Sequence, residues 1–97
     1  MKTLDEIRKI LEQQKDFLRD KYKVKEISIF GSFVRGEQKK TSDVDILVDF
    51  YETPDLLTFL ELERFLEELL GIKVDLVRKP ALRKEIREQV LQEAQTI

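Results

Sequence analysis

Two apolar runs of strand-like composition, separated by a short polar segment, constrain the fold of this chain more than any other feature. The first run, KEISIF, ends in a Gly-Ser pair at Gly31 and Ser32, and the second, DVDILVDF, opens with Asp43 and Asp45. Only ten residues lie between the two pairs. Such a connection is too short for a helical crossover, so we expect antiparallel neighbours. The end of the first strand should then lie beside the start of the second.

The Asp-x-Asp at the start of the second run has a spacing with chemical consequences. Side chains two positions apart in a strand point to the same face, so Asp43 and Asp45 should project together, away from the alternating apolar residues. Neighbouring carboxylates repel and raise each other's pKa, and their hard oxygen ligands suit Mg²⁺. The Gly31–Ser32 turn offers backbone N–H groups and a hydroxyl to an anion, and glycine permits close approach. The combination indicates chemistry on a nucleoside triphosphate.

The remaining periodicities alternate between helix and strand. Thr3 and Glu6 form a capping-box pattern ahead of a leading amphipathic helix. Thr53 and Pro54 are expected to begin a Leu-rich helix that ends at Gly71. Strands are predicted over residues 27–30, 43–50 and 72–77, with a short turn or helix over 33–36 and a last helix from residue 80. This order predicts one α/β (α+β-like) domain over residues 1–97, a small mixed sheet backed by helices.

A third carboxylate is expected to join the Asp pair. The Leu-rich helix makes a full crossover, so the third strand can lie parallel to the second. Asp75 is then close to the start of its strand, as Asp43 and Asp45 are in theirs. All three should converge at one end of the sheet beside Gly31 and Ser32. The alternative for Asp75 alone is an exposed strand position without function.

Composition excludes several classes of protein. The chain has no Cys and no His, which removes disulfide and thiol chemistry and argues against a zinc site. A formal charge of −2 argues against nucleic-acid binding through net charge, although a local basic patch stays possible. No run approaches the ~20 apolar residues of a membrane span, and the N-terminus lacks a signal-peptide pattern. We therefore expect a cytoplasmic protein with no membrane contact and no direct nucleic-acid partner.

The motif as a whole resembles that of a known superfamily. Gly31-Ser32, a spacer of ten residues and Asp43-x-Asp45 are similar to the signature of the DNA polymerase β-like nucleotidyltransferases. Asp75 in IKVDLVR fits the third carboxylate of that superfamily, and the stretch Arg35-Gly36-Glu37 fits a further part of the pattern. At this length the chain resembles the minimal nucleotidyltransferase (MNT) group, the antitoxins of HEPN/MNT toxin–antitoxin pairs.

The resemblance implies metal-assisted nucleotidyl transfer. Gly31, Ser32 and neighbouring N–H groups would hold the phosphates of ATP, while Asp43 and Asp45 would hold Mg²⁺. Asp75 would share a second Mg²⁺ and accept the proton of the acceptor hydroxyl. The implied partner is a HEPN-domain toxin, an RNase silenced when a tyrosine receives AMP.

Other interpretations remain open from the sequence. Arg35 could neutralise the pyrophosphate leaving group or could equally be a solvated surface residue. The protein could be a non-catalytic antitoxin that occludes its partner, or it could nucleotidylate a small molecule. Without any such function, Gly31-Ser32 would be a plain turn and the Asp pair a solvated strand start. The Leu-rich helix is apolar on more than one face, which is compatible with a protein contact.

Overall fold

The computed structural model describes residues 2–97. The central elements follow the expected order, but the chain begins with two helices instead of one and ends with a short strand that was not predicted. The elements are α1 (Leu4–Gln13), α2 (Lys15–Tyr22), β1 (Val24–Phe30), α3 (Ser32–Arg35), β2 (Val44–Phe50), α4 (Leu56–Leu70), β3 (Val74–Arg78), a 3₁₀ turn (Lys79–Ala81), α5 (Lys84–Glu93) and β4 (Gln95–Thr96).

The strands form one mixed sheet in the order β3-β2-β1-β4. β1 and β2 are antiparallel, with Phe30 opposite Asp45, and β2 and β3 are parallel, with Asp45 opposite Asp75. Both pairings predicted from the lengths of the connections are therefore confirmed. The end of β1 and the starts of β2 and β3 lie at the same end of the sheet.

The two faces of the sheet are covered unequally. The larger core lies on the face toward α1, α2 and α4, and it includes the alternating β2 residues Val44, Ile46 and Val48. The opposite face carries a smaller cluster in which Leu47 packs with Val90 of α5 and with Leu82. Because side chains alternate along a strand, Asp45 and Leu47 lie on this second face. At the start of α4, Leu56 and Leu57 are 70% and 79% exposed.

Several predicted boundaries are wrong. The leading helix is two helices that meet at Gln14, whose φ of −104° and ψ of 3° interrupt α-helical geometry. No Pro or Gly marks this break in the sequence. Leu11 of α1 and Leu18 of α2 are both fully buried in the core. The helical spacing of the apolar residues continues across the break, so the sequence gives no sign of where α1 ends.

The beginning of α4 was also misplaced. The N-cap is Asp55 and not Thr53, because the Asp55 carboxylate accepts the Thr58 N–H at 2.8 Å. This hydrogen bond lowers the pKa of Asp55 below its usual value. Asp is a stronger cap than Thr, and Pro54 then precedes the helix. The prediction that Gly71 ends the helix is confirmed.

The C-terminal region differs most from expectation. Pro80 belongs to a 3₁₀ turn, the α-helix runs only over Lys84–Glu93, and a short strand, β4, follows it. β4 adds to the free edge of β1, where the Ser28 hydroxyl donates to the Thr96 hydroxyl at 3.3 Å. The chain therefore returns from α5 to the edge of the sheet beside β1.

Within residues 2–97, no helix is both long enough and apolar enough to cross a membrane.

Candidate functional site

Three chain segments meet where β1 ends and β2 and β3 begin. Asp45 stands opposite Phe30 in one direction and opposite Asp75 in the other. Leu47 and Val77, two residues further along β2 and β3, both belong to the apolar cluster against α5. Asp45 and Asp75 therefore project side by side on that same face. The strand register therefore brings these two carboxylates together beside the end of β1, as expected.

The environment of Asp45 disfavours its charge. Its pKa is raised to about 6, first because it is partly buried and then because Asp75 and, more weakly, Asp43 are close. Arg35 opposes these effects only slightly. A carboxylate held under such repulsion is stabilised by any cation that enters the site. Among Asp43, Asp45 and Asp75, Asp45 is the carboxylate whose charge the other two disfavour.

Asp43 occupies a different position from the one predicted. It precedes β2, which begins at Val44, and its side chain is exposed. It borders a cavity of about 850 Å³ whose lining also includes Lys40 and Lys73. As the side chains stand, no three potential ligands among residues 2–97 are gathered closely enough to hold a metal ion. The two Mg²⁺ ions expected from the resemblance stay a prediction.

Gly31 lies directly against Asp45. Its φ of 79° and ψ of −151° belong to a region that is essentially restricted to glycine. A β-carbon at this position would come within 2.9 Å of the Asp45 Cγ and closer still to its Oδ2. Gly31 therefore does permit a close approach to the backbone, as expected, but the group that approaches in this structure is the Asp45 carboxylate and not a phosphate.

Ser32 begins the short helix α3. The N–H groups of Val34 and Arg35 donate to the Gly31 carbonyl at 3.1 and 3.2 Å. The N–H groups of the first two residues of a helix have no partner within it, so those of Ser32 and Phe33 are left at the start of the turn. Both residues directly follow Gly31, which lies against Asp45. Their N–H groups and the Ser32 hydroxyl are the donors that the sequence assigned to phosphate.

Arg35 is neither free nor simply solvated. Its Nε donates to Glu37 at 2.7 Å, and its Nη1 donates to both carboxylate oxygens of Glu93 at 3.1 Å. Glu93 Oε2 also accepts the Gly31 N–H at 2.9 Å. Sequence reasoning missed Glu93, because it lies far along the chain in a helix with many acidic residues and no motif distinguishes it.

Comparison with known proteins gives the site its context. A family model described as "Nucleotidyltransferase domain" matches residues 11–97. A chain from a crystal structure of a toxin–antitoxin complex with AMP-PNP has a TM-score of 0.73 at 30% identity, covering 93% of this chain and 70% of that one. The fold is therefore the polymerase β-like nucleotidyltransferase fold.

Two further comparisons show which group of nucleotidyltransferases the chain is similar to. Protein adenylyltransferase MntA of Thermococcus cleftensis is 57% identical over 93 residues, which cover 96% of this chain and 94% of that protein. A chain from a complex of tri-AMPylated Shewanella oneidensis HEPN toxin with MNT antitoxin has a TM-score of 0.67 at 26% identity, covering 93% and 70% of the two chains. The present chain belongs to the nucleotidyltransferase family and is an enzyme of its minimal, MntA-like group.

Proposed function

We propose that this protein is the antitoxin of a HEPN/MNT pair and transfers AMP from ATP, with Mg²⁺, to a tyrosine of its HEPN toxin. One structural observation carries the proposal: Asp45 and Asp75 lie side by side at the sheet end that also holds Gly31. The similarity to adenylyltransferases and to a complex with an AMPylated HEPN toxin supports a HEPN toxin as the protein that accepts AMP.

The residues present fit a divalent cation. Asp45 and Asp75 supply hard oxygen atoms, and the raised pKa of Asp45, caused first by burial and then by Asp75, means that its charged form is disfavoured unless a cation is present. Asp43 can join them because it lies just before β2 in an exposed position. Mg²⁺, when bound, would neutralise charge on the triphosphate and on the attacking and leaving oxygens.

The protein groups then have separate tasks in the transfer. Ser32 and the N–H groups at the start of α3 orient the phosphates. The tyrosine oxygen attacks the α-phosphorus, the bond to the bridging oxygen of the β-phosphate breaks, and pyrophosphate leaves. Asp75, which is exposed at the start of β3, accepts the hydroxyl proton. Arg35 offers positive charge to the departing pyrophosphate.

The proposal is tested by incubating the protein with its HEPN toxin, ATP and Mg²⁺. We expect the intact mass of the toxin to rise by whole adenylyl units, located on tyrosine by fragmentation. An Asp43→Asn/Asp45→Asn double variant should leave the mass unchanged. A toxin that both proteins neutralise equally, without any change in mass, would instead identify an antitoxin that acts by occlusion. Transfer to a small molecule alone would also contradict the proposal.

Ser32→Ala should weaken nucleotide binding without removing it. The hydroxyl is one donor among several at the start of α3, so its loss should cost about 1–2 kcal/mol, roughly a 5- to 30-fold weaker affinity. Calorimetric titration with Mg²⁺ and a non-hydrolysable ATP analogue measures this change. Ser42→Ala is the matched control, because the Ser42 hydroxyl is already engaged by the Lys39 N–H within the loop. Equal losses in the two variants would count against a phosphate contact by Ser32.

A further inference from the structure

Glu93 makes an unusual set of contacts for a residue at the end of a surface helix. It is the last residue of α5, yet its side chain is only 17% exposed. One carboxylate oxygen accepts the Gly31 N–H at 2.9 Å, and both oxygens accept from Arg35 Nη1 at 3.1 Å. A single carboxylate thereby joins the C-terminal helix to two residues of the nucleotide site.

The contact with Gly31 bears on the position of Asp45. Gly31 has a backbone conformation that only glycine adopts readily, and it lies against the Asp45 side chain. A strained conformation persists only where the surroundings hold it. The hydrogen bond from Glu93 is one such support, and it is charge-assisted and mostly shielded from solvent, which strengthens it.

The contact with Arg35 restricts a long, flexible side chain. Glu37 holds Nε from one side and Glu93 holds Nη1 from the other. Among the described residues, none of the hydrogen bonds uses Arg35 Nη2, so that part of the guanidinium is left for a ligand. Exposed ion pairs are weak as a rule, but this one has a mostly buried acceptor and a second hydrogen bond to the backbone.

We propose that Glu93 is a positioning residue for the transfer reaction: it holds the Gly31 turn and the Arg35 guanidinium in the geometry that receives the triphosphate. This inference rests on the proposed function, because it assigns both groups to nucleotide binding. It also gives α5 a role in the site, although no motif residue lies on that helix.

The competing interpretation is that Glu93 occupies the phosphate position and must be displaced by ATP. The two interpretations differ in the sign of their effect. A positioning residue makes nucleotide binding stronger, so its removal weakens binding. A competitor makes binding weaker, so its removal strengthens it. We expect weakening, because loss of Glu93 leaves Arg35 paired only with Glu37 and leaves the Gly31 N–H without its partner.

The experiment compares Glu93→Ala and Glu93→Gln with Glu88→Gln, a control on the exposed face of the same helix. Affinity for Mg²⁺ with a non-hydrolysable ATP analogue is measured by calorimetry, and kcat and KM for ATP are measured with the toxin as acceptor. Glu93→Ala should weaken binding about 10- to 100-fold, the range found when outer-shell partners that orient metal ligands are removed. Glu93→Gln keeps an acceptor for Gly31 and should recover part of that loss. Glu88→Gln should match wild type.

An Arg35→Ala background tests whether Glu93 acts through its neighbours. There, Glu93→Ala should weaken binding several-fold less than it does in wild type, because the shared contact is already gone. Exchange of the Gly31 amide, followed by NMR without nucleotide, should be faster in Glu93→Ala than in Glu88→Gln. Melting temperatures establish that the variants are folded; if Glu93→Ala is not, Glu93→Gln carries the comparison.

The outcomes separate this inference from the proposed function. Unchanged or tighter nucleotide binding in folded Glu93 variants would overturn the positioning role. A wild-type protein that binds nucleotide with the expected Glu93 dependence but transfers nothing to the toxin would overturn only the transfer reaction. A wild-type protein that binds no nucleotide would overturn both.

Discussion

Asp45→Asn should reduce AMP transfer by a factor on the order of 10²–10³ or more, the size of effect seen when a group that stabilises transition-state charge is lost. Asn keeps the size of the side chain and its contact with Gly31 but loses the charge that a cation requires. Transfer is measured as the rate at which adenylyl mass appears on the toxin. The loss should appear in kcat more than in the affinity for the nucleotide, because Ser32 and the α3 N–H groups are unchanged.

The same substitution should stabilise the metal-free protein. The pKa of Asp45 is raised to about 6, by burial first and then by Asp75, so the folded protein binds more protons than the unfolded chain between about pH 4 and 6. Wild-type stability should therefore fall as the pH rises through that window, and Asp45→Asn should lack the fall. Because Asp45 is only partly buried, we expect a gain of about 1–2 kcal/mol above pH 6 after allowing for solvent screening.

Denaturant unfolding in chelator measures this gain when it is done at about pH 4.5, near the lower end of the window, and at about pH 7.5, above the window. ATP with Mg²⁺ should then raise the stability of the wild type more than ATP alone does, and Asp45→Asn should lose this metal-dependent gain. Asp49→Asn is the matched control on the same strand, since Asp49 accepts the Phe50 N–H and lies at the far end of β2 from the cluster. An Asp45→Asn variant that keeps full activity would place the reaction elsewhere.

Gly31→Ala should destabilise the protein by about 2–4 kcal/mol, combining backbone strain with overpacking. A β-carbon would need a backbone conformation that Ala avoids and would collide with Asp45, 2.9 Å from its Cγ. The chain can relieve the collision only by moving Asp45 or the end of β1, and either movement disrupts the site. We therefore expect transfer to be lost even at temperatures where the variant remains folded.

Gly36→Ala separates the effect of backbone strain from that of the collision with Asp45. Gly36 also has a positive φ, 72°, but a β-carbon there would meet nothing within 4 Å. It should cost only about 1 kcal/mol, the cost of a left-handed conformation, and leave transfer close to wild type. Unfolding curves and transfer rates of the two variants, measured side by side, test the difference. Similar losses in both would mean that the contact with Asp45 is unimportant.

Much of this architecture follows from local patterns. The antiparallel pairing of β1 with β2 follows from a short connection, and the parallel pairing of β2 with β3 follows from the α4 crossover. The register of Asp45 with Asp75 then results from two strands that begin at the same end. Boundaries were less predictable: no local signal in the sequence marks the break at Gln14, and the cap at Asp55 depends on which of several polar side chains reaches a free N–H.

By itself, the sequence determined the pairing of β1 to β3, the family motif and the choice of candidate site residues, because these depend on spacings of a few residues. The candidates are Gly31, Ser32, Asp43, Asp45 and Asp75. Only the tertiary structure decided that Gly31 lies against Asp45 and that Glu93 binds both Gly31 and Arg35. Glu93 is 62 residues from Gly31 along the chain. Contacts over such a separation depend on where β4 and α5 return to the sheet, and that return is set by packing against Leu47 and not by any local pattern.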